Sequence, residues 1–440
     1  MTDTRIIVLD DDPTGSQTVH SCLLLTRWDE ATLRQALLDE SPIFFVLTNT
    51  RGMDATSAAR VTREVCHNLN AALKTRSEAG HPINPILVSR SDSTLRGHYP
   101  VETDVIAEEL GPFDAHFLVP AFIEAGRITR NSQHYLLVDG KPVPTHETEF
   151  ARDSVFGYRT SYLPDYVAEK TAGRIPAEAV TRFVLDEIRN GGIQSKLTRL
   201  SGNACAVVDA ETQDDLNRFA SDVMAVAATG KRFLFRSAAS LLTALANLPP
   251  QPVSAESMHH FVRDGKPGAV VVGSHVKKTS EQLEELLKEP DIAPIEVDIE
   301  RIDTDNDALV ADVLATAEQA FADGKTSVIF TSRVEKTFAD QATRLAFGER
   351  VSATLMKIVA GLPKELGWLI SKGGITSNDV LSTGLNLKAS RVLGQILTGC
   401  SVVRCPADHP RFPLLPVVIF PGNVGDRFAV AEACRRLRGR

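Results

Sequence analysis

The chain has no apolar run approaching 18 residues, which excludes a membrane-spanning helix of ordinary length. Its 6 cysteines are scattered, with no Cys-x-x-Cys and no cysteine pair near a histidine pair. That pattern excludes a zinc-finger type of metal site and gives no disulfide framework. Basic excess is missing too: the net charge is −8, whereas nucleic-acid-binding surfaces are usually basic. Histidines number only 11 and form no ligand set. Gly324-Lys325-Thr326 has Gln319 where a Walker A motif needs glycine, and it precedes a strand-like run instead of following one. No Gly-x-Gly-x-x-Gly follows the first apolar run, so a Rossmann dinucleotide site has no support. There is no internal repeat and no low-complexity segment. The first residues, Met1-Thr2-Asp3-Thr4-Arg5, lead straight into a strand-like run, so no signal peptide and a cytoplasmic location are expected.

What is present is a 440-residue chain of ordinary globular composition, 43% hydrophobic and 24% charged, long enough for two domains. Short apolar runs alternate with longer helical patterns, the signature of α/β architecture. Strands are expected at Ile6–Leu9, Ser21–Thr26, Ile43–Leu47, Pro85–Ser89, His116–Val119 and Ala204–Val208. Helices are expected at Glu30–Asp39, Ala55–Thr75 and Glu211–Ala228, with a hairpin turn at Val138–Pro142. Leu248-Pro249-Pro250-Gln251-Pro252-Val253-Ser254 reads as a linker. Beyond it, strands fit Ala269–Val272, Ile295–Val297, Ser327–Phe330, Trp368–Ser371 and Val417–Phe420. Helices there fit Glu281–Leu287, Asp307–Ala322, Gln341–Ala360 and Asp426–Arg436. The expectation is two α/β domains, 1–248 and 255–440, flanking a cleft.

The first chemical signal is Ile6-Ile7-Val8-Leu9-Asp10-Asp11-Asp12-Pro13-Thr14-Gly15. A single Asp at a strand end would be read as a cap, but adjacent carboxylates repel one another and need a better reason. The second is Ser89-Arg90-Ser91-Asp92-Ser93-Thr94-Leu95-Arg96-Gly97, again directly after a strand. Ser93 or Thr94 alone would serve as a helix cap. A cap does not need Arg90, Asp92 and Arg96 beside it, whereas arginines bind carboxylates or phosphates and hydroxyls suit polyols. Arg51 and Arg127 also follow apolar runs. In open α/β sheets such loops line the ligand crevice, so the first domain is expected to hold a small hydroxylated acid. His98 and His134 lie in this half as further ligand contacts. His259, His260 and His275 read as structural or surface residues.

The second half has small residues at its strand ends: Gly273-Ser274, Thr331-Ser332, Ser371-Lys372-Gly373-Gly374-Ile375-Thr376 and Pro421-Gly422-Asn423-Val424-Gly425. Glycines let backbone approach a bulky anion, which makes this the expected nucleotide half.

Asp11-Asp12-x-Thr14-Gly15 and Asp92-Ser93-Thr94-Leu95-Arg96-Gly97 resemble motifs of the four-carbon acid sugar kinase family. Gly126-Arg127, Gly273-Ser274, Gly373-Gly374-x-Thr376 and Gly422-Asn423-x-Gly425 follow in the family's order, over nearly the whole chain. The resemblance implies an ATP-dependent kinase, working with Mg2+, acting on a small sugar acid such as threonate, erythronate or 3-oxo-tetronate. It implies an N-terminal sugar-acid domain and a C-terminal ATP domain. Ser274, Gly373, Gly374, Ile375, Thr376, Gly422 and Asn423 fall at its nucleotide positions. Asp11, Asp12, Asp92 and Arg96 fall in its substrate motifs. Arg51, Arg90, Arg96 and Arg127, with Ser93, complete the expected substrate set, and Asp11 or Asp12 is the expected proton acceptor. The Mg2+ ligands stay open. Ile375 stands where the family has Glu, and Phe420-Pro421 stands where it has Lys-Ser, leaving Lys372 as the substitute phosphate lysine. These departures keep a branched acid such as 3-oxo-isoapionate among the substrates. A homo-oligomer is compatible with the sequence.

Two other classes compete. Asp10-x-Asp12-x-Thr14 also fits the opening of haloacid-dehalogenase-type phosphatases, with Asp10 as nucleophile, Asp12 as acid/base and Thr48 as the Ser/Thr. That reading finds no Lys and acidic pair in order and leaves Asp92–Gly97 unexplained. A non-catalytic sugar-acid sensor would have the acidic triplet repel its ligand.

Overall fold

The computed structural model describes residues 3–274, 276–333 and 340–440. The expectation for His275 lies outside these residues. The chain divides into two compact α/β units, one ending at Pro249 and one beginning at Pro250. The segment joining them is anchored. The His20 Nε2 donates to the Pro249 carbonyl at 2.7 Å, and the Gln251 side chain exchanges hydrogen bonds with the backbone of Gln395.

In the first unit, eight strands form a wholly parallel stretch of sheet. They are β1 (Asp3–Asp10), β2 (Cys22–Leu25), β3 (Ile43–Leu47), β4 (Ile83–Arg90), β5 (Ala115–Val119), β9 (Thr181–Phe183), β10 (Ala204–Val208) and β11 (Phe233–Ser237). Their order is β2-β3-β1-β4-β11-β5-β10-β9. Parallel strands covered on both faces need continuous apolar runs, and β3, Ile-Phe-Phe-Val-Leu, is buried throughout. A separate antiparallel sheet joins β6 (Arg127–Arg130), β7 (Gln133–Val138) and β8 (Lys141–Pro144). The expected turn between β7 and β8 is there, with Asp139 and Gly140 both at positive φ.

Helices begin where short polar side chains meet orphan N–H groups. Asp54 caps Ala55–Glu78 through the Ser57 N–H, and a Thr212/Asp215 capping box opens Gln213–Ala227. Ser93 and Thr94 cap nothing, because the next helix starts at Val101. The strand β11 was not expected, and it fills the gap between β4 and β5.

In the second unit the order is β13-β14-β12-β15-β18-β17-β16. The strands are β12 (Ala269–Val272), β13 (Ile292–Val297), β14 (Thr326–Thr331), β15 (Leu369–Lys372), β16 (Ala389–Leu397), β17 (Cys400–Arg404) and β18 (Pro416–Phe420). The antiparallel strands β16 and β17 escape sequence reading, since Ser390, Arg391, Gly394 and Gln395 break the apolar pattern of β16 and bulges interrupt its register. Trp368, Val270, Val402 and Phe420 lie in one core cluster. No helix among the described residues is long and apolar enough to cross a membrane. All six cysteines are buried and none forms a disulfide.

Candidate active site

Parallel register brings Asp10, Arg90, Ser237 and Val119 side by side at the carboxyl ends of β1, β4, β11 and β5. The loops that follow carry the charged residues expected from sequence. The three acids are not equivalent. Asp10 is fully buried, and its Oδ2 has no hydrogen-bond partner. Burial pushes its carboxyl up to about 8, against the pull of Arg90. A Cβ on Gly15 would stand 2.0 Å from that oxygen, so the Gly15 backbone seals Asp10.

Asp11 is 1% exposed and is gripped side-on by Arg51, with Nη2 at 2.5 Å and Nε at 3.2 Å. Asp12 is 21% exposed. Its Oδ1 accepts from the Thr14 N–H at 2.9 Å and the Thr14 hydroxyl at 2.5 Å, while Oδ2 has Arg51 Nη1 at 3.4 Å. Burial alone would raise the Asp12 pKa, but Arg51, Arg90 and Thr14 together hold it below the usual range.

The Ser91–Gly97 loop is clamped from several sides. The Ser91 N–H donates to the Ser237 carbonyl at 2.8 Å, and the Tyr158 and Tyr166 hydroxyls donate to the Thr94 and Leu95 carbonyls. His134 Nε2 donates to the Ser93 carbonyl at 2.8 Å, and burial lowers its ring to about 4, so it is neutral. His98 Nε2 donates to the Thr50 and Met53 carbonyls. Both histidines therefore hold backbone, which corrects their expected role as ligand contacts. Within the loop, Asp92 accepts from Thr94 and, at 2.8 Å, from Arg96 Nε. Burial opposes ionisation there, yet Arg51 and Arg96 bring Asp92 down to about 2. Gly97 has φ 124°, and a Cβ on it would meet Arg236 Nη2 at 2.6 Å, Ser91 Oγ at 2.7 Å and Asp11 Oδ2 at 3.1 Å.

Arg90 is buried, with Nη1 at 3.4 Å from Asp10 and 3.6 Å from Asp11. Arg127 is half-buried beside Asp92 and Arg96. Its Nη1 donates to the Ala125 carbonyl, and its Nε has no partner. Sequence reading missed the pair Glu102–Arg236, which is buried with side-chain exposures of 5% and 7%. Glu102 also accepts from Thr50 Oγ1 at 2.5 Å, and Arg236 donates to Ser89 Oγ at 2.7 Å. Thr48 continues this chain to the Asp10 carbonyl at 2.9 Å. An arginine next to the end of the apolar run Phe233–Ser237 was the available signal. Ser91, Asp92, Arg236 and Ser237, with Leu95, Tyr99, Leu118, Pro120 and Tyr166, line a small recess.

In the second unit, Phe330, Val272, Lys372 and Phe420 are in register at the ends of β14, β12, β15 and β18. The glycine loops follow them. Gly373 has φ 116°, and its N–H donates to the Phe420 carbonyl at 2.8 Å. A Cβ on Gly273 would stand 2.5 Å from Thr376 Oγ1, and one on Gly373 would stand 3.4 Å from Ser274 Cβ. Ser274, Gly373 and Thr376 are therefore neighbours. Gly422 is open, with nothing within 4 Å of a Cβ, and Ile375 is 73% exposed. Asn423 is tied in by its carbonyl, which accepts from Lys278 Nζ at 3.2 Å. Lys372 is not a phosphate-reaching lysine here. Its Nζ donates to the Pro421 and Gly422 carbonyls at 2.6 and 3.3 Å, over the Phe420 ring, and burial pulls its pKa down to about 7. Among the described residues, no cluster of His, Cys, Asp or Glu is arranged to hold a metal ion.

Residues 6–245 match the model of a sugar-binding N-terminal domain, and residues 269–430 match that of a nucleotide-binding C-terminal domain. The chain is 28% identical over 290 residues to the D-erythronate kinase of Heliobacterium modesticaldum, covering 63% of this chain and 59% of that one. It is 29% identical over 214 residues to the D-threonate kinase of Bordetella bronchiseptica, covering 44% and 49%. The matched parts thus span about half to three fifths of these relatives. Two crystal structures share the fold. One is a Salmonella typhimurium LT2 protein bearing a tRNA synthase name, with TM-score 0.71 at 17% identity, covering 98% of this chain and 99% of that one. The other is Haemophilus influenzae protein HI1011, with TM-score 0.65 at 16% identity, covering 98% and 100%. With a sugar-binding model over its first unit, a nucleotide-binding model over its second and sugar-acid kinases among its relatives, the chain belongs to the four-carbon acid sugar kinase family.

Proposed function

We propose that the protein transfers a phosphoryl group from ATP to a hydroxyl of a small sugar acid of the four-carbon type. The observation that carries this is the unequal triplet. Asp10 is sealed, Asp11 is locked on Arg51, and Asp12 alone of the three keeps a partly exposed carboxylate. In this reading Asp12 Oδ2 accepts the acceptor hydroxyl's proton. Its lowered pKa keeps the carboxylate ionised and so able to take up that proton. The same triplet argues against a phosphatase, since Asp10 would have to be ionised and reachable to attack phosphorus.

In this reading Asp92, Ser91 and Ser93 bind hydroxyls, and Arg96 and Arg127 bind the carboxylate. Arg51 and Arg90 fix the carboxylates that orient the acceptor. The names of the relatives favour erythronate or threonate, and a branched acid such as 3-oxo-isoapionate is the variant to test beside them. ATP is held by Ser274, Gly373, Gly374, Ile375, Thr376, Gly422 and Asn423. The packing of Gly273 and Gly373 against Thr376 and Ser274 supports this, because side chains there would fill the cradle. Mg2+ bound with the nucleotide would supply charge neutralisation of the phosphates.

The test is ATP consumption over four- and five-carbon sugar acids, with the phosphorylated carbon read by NMR. Asp12→Asn is expected to lower turnover by about 10²–10⁴-fold while ATP affinity stays within about twofold. Turnover near wild type in that variant, or no acid-dependent ATP consumption by the wild type, would overturn the reading.

A further inference from the structure

Phosphoryl transfer requires cationic groups on the nucleotide's phosphates. Two lysines beside the glycine loops are already committed to backbone. Lys372 Nζ binds the Pro421 and Gly422 carbonyls, and Lys278 Nζ binds the Asn423 carbonyl. Arg333 is different. It lies two residues beyond the end of β14, and its Nη1 donates to the Ser274 carbonyl at 2.6 Å. That bond sets the guanidinium against the Gly273-Ser274 loop, which itself packs on Thr376 and Gly373. The remaining donors, Nε and Nη2, are buried and have no acceptor among the described residues. Burial without a partner is costly for such donors. Nε and Nη2 form one edge of the guanidinium fork, the edge with which Arg51 grips both oxygens of Asp11.

We propose that Arg333 is the phosphate-binding arginine of the nucleotide site, its Nε–Nη2 edge taking two oxygens of the β- or γ-phosphate of ATP. This rests on the kinase reading above. It assigns a specific cation to a loop set otherwise built from glycines and hydroxyls. The edge selects a tetrahedral or planar oxyanion over a neutral ligand, so the residue discriminates nucleoside triphosphate from nucleoside.

The experiment is calorimetric titration of wild type, Arg333→Met and Arg333→Lys with ATP, ADP and adenosine, with thermal unfolding recorded in parallel. Arg333→Met is expected to lose at least tenfold in ATP affinity with adenosine affinity unchanged. Arg333→Lys, which keeps the charge and loses the fork, is expected to fall between the two. Equal ATP affinity in wild type and Arg333→Met overturns the assignment, as does a parallel loss of ATP and adenosine affinity in both variants. If Arg333→Met does not fold, the lysine variant decides by the same comparison. Failure of the wild type to bind ATP would instead strike the kinase reading, so the two failures are distinguishable.

Discussion

Asp10→Asn offers a quantitative test of how the acidic triplet is divided. In the folded protein the Asp10 carboxyl titrates at about 8, against 3.8 in an unperturbed chain, because burial disfavours its charge more than Arg90 favours it. Between these values the folded state holds a proton that the unfolded state has lost. Stability therefore falls as pH rises through that window. At 1.36 kcal/mol per pKa unit the whole shift is worth roughly 5–6 kcal/mol. Relaxation around a buried charge makes that figure an upper bound, so an effect on the order of a few kcal/mol is expected in practice. Asparagine has the shape of the protonated acid and does not titrate. Urea unfolding at pH 5, 6.5 and 8 should find Asp10→Asn close to wild type at pH 5 and increasingly more stable toward pH 8. Its turnover at pH 7 should stay within a few-fold of wild type, since the native carboxyl is already neutral there. A stability difference that does not grow with pH, or inactivation as complete as that of Asp12→Asn, would refute the reasoning. The second outcome would return Asp10 to the role of nucleophile.

Glu102→Gln leaves Arg236 as an uncompensated buried charge and should cost about 3–5 kcal/mol of stability, measured by chemical unfolding; a change under about 1 kcal/mol would show that the pair is not structural. Lys372 gives a pH effect of the other sign. Burial lowers its folded pKa to about 7 from 10.5, so the unfolded chain binds the extra proton and wild-type stability should rise between about pH 7 and 10. Lys372→Met should flatten that rise, and identical pH profiles for the two proteins would count against a lowered lysine pKa in the folded state.

The parallel strands were legible because burial on both faces demands uninterrupted apolar runs, as in β1 and β3. The strand β11 was not, because five residues ending in Arg-Ser look like a loop edge until a gap between β4 and β5 has to be filled. Within the site, sequence adjacency put Asp10, Asp11 and Asp12 together but could not rank them. Their ranking depends on Gly15 closing over Asp10 and on Arg51 arriving from another loop. Lys372 was expected at the phosphates because it precedes the glycine pair. It turns away because the end of β18 lies in register beside it and offers two carbonyls. Arg333 drew no notice, since one arginine after a strand has no pattern until its neighbours are known.

The place of β11 also bears on how the protein is made. Synthesis is vectorial, and domains fold as units when their last segment leaves the ribosome. The strands β4 and β5 are complete by residue 119, yet the strand that pairs with both ends at residue 237. For the synthesis of more than a hundred intervening residues, two apolar edges that belong in the middle of a sheet lack their native neighbour. Open edges of this kind invite pairing with other chains. Arg236, which closes the polar chain beneath the acidic loops, arrives on the same late strand. A nascent first unit is therefore both unfinished as a sheet and incomplete as a site until one short segment is threaded in, and a fragment stopping before residue 233 would lack both.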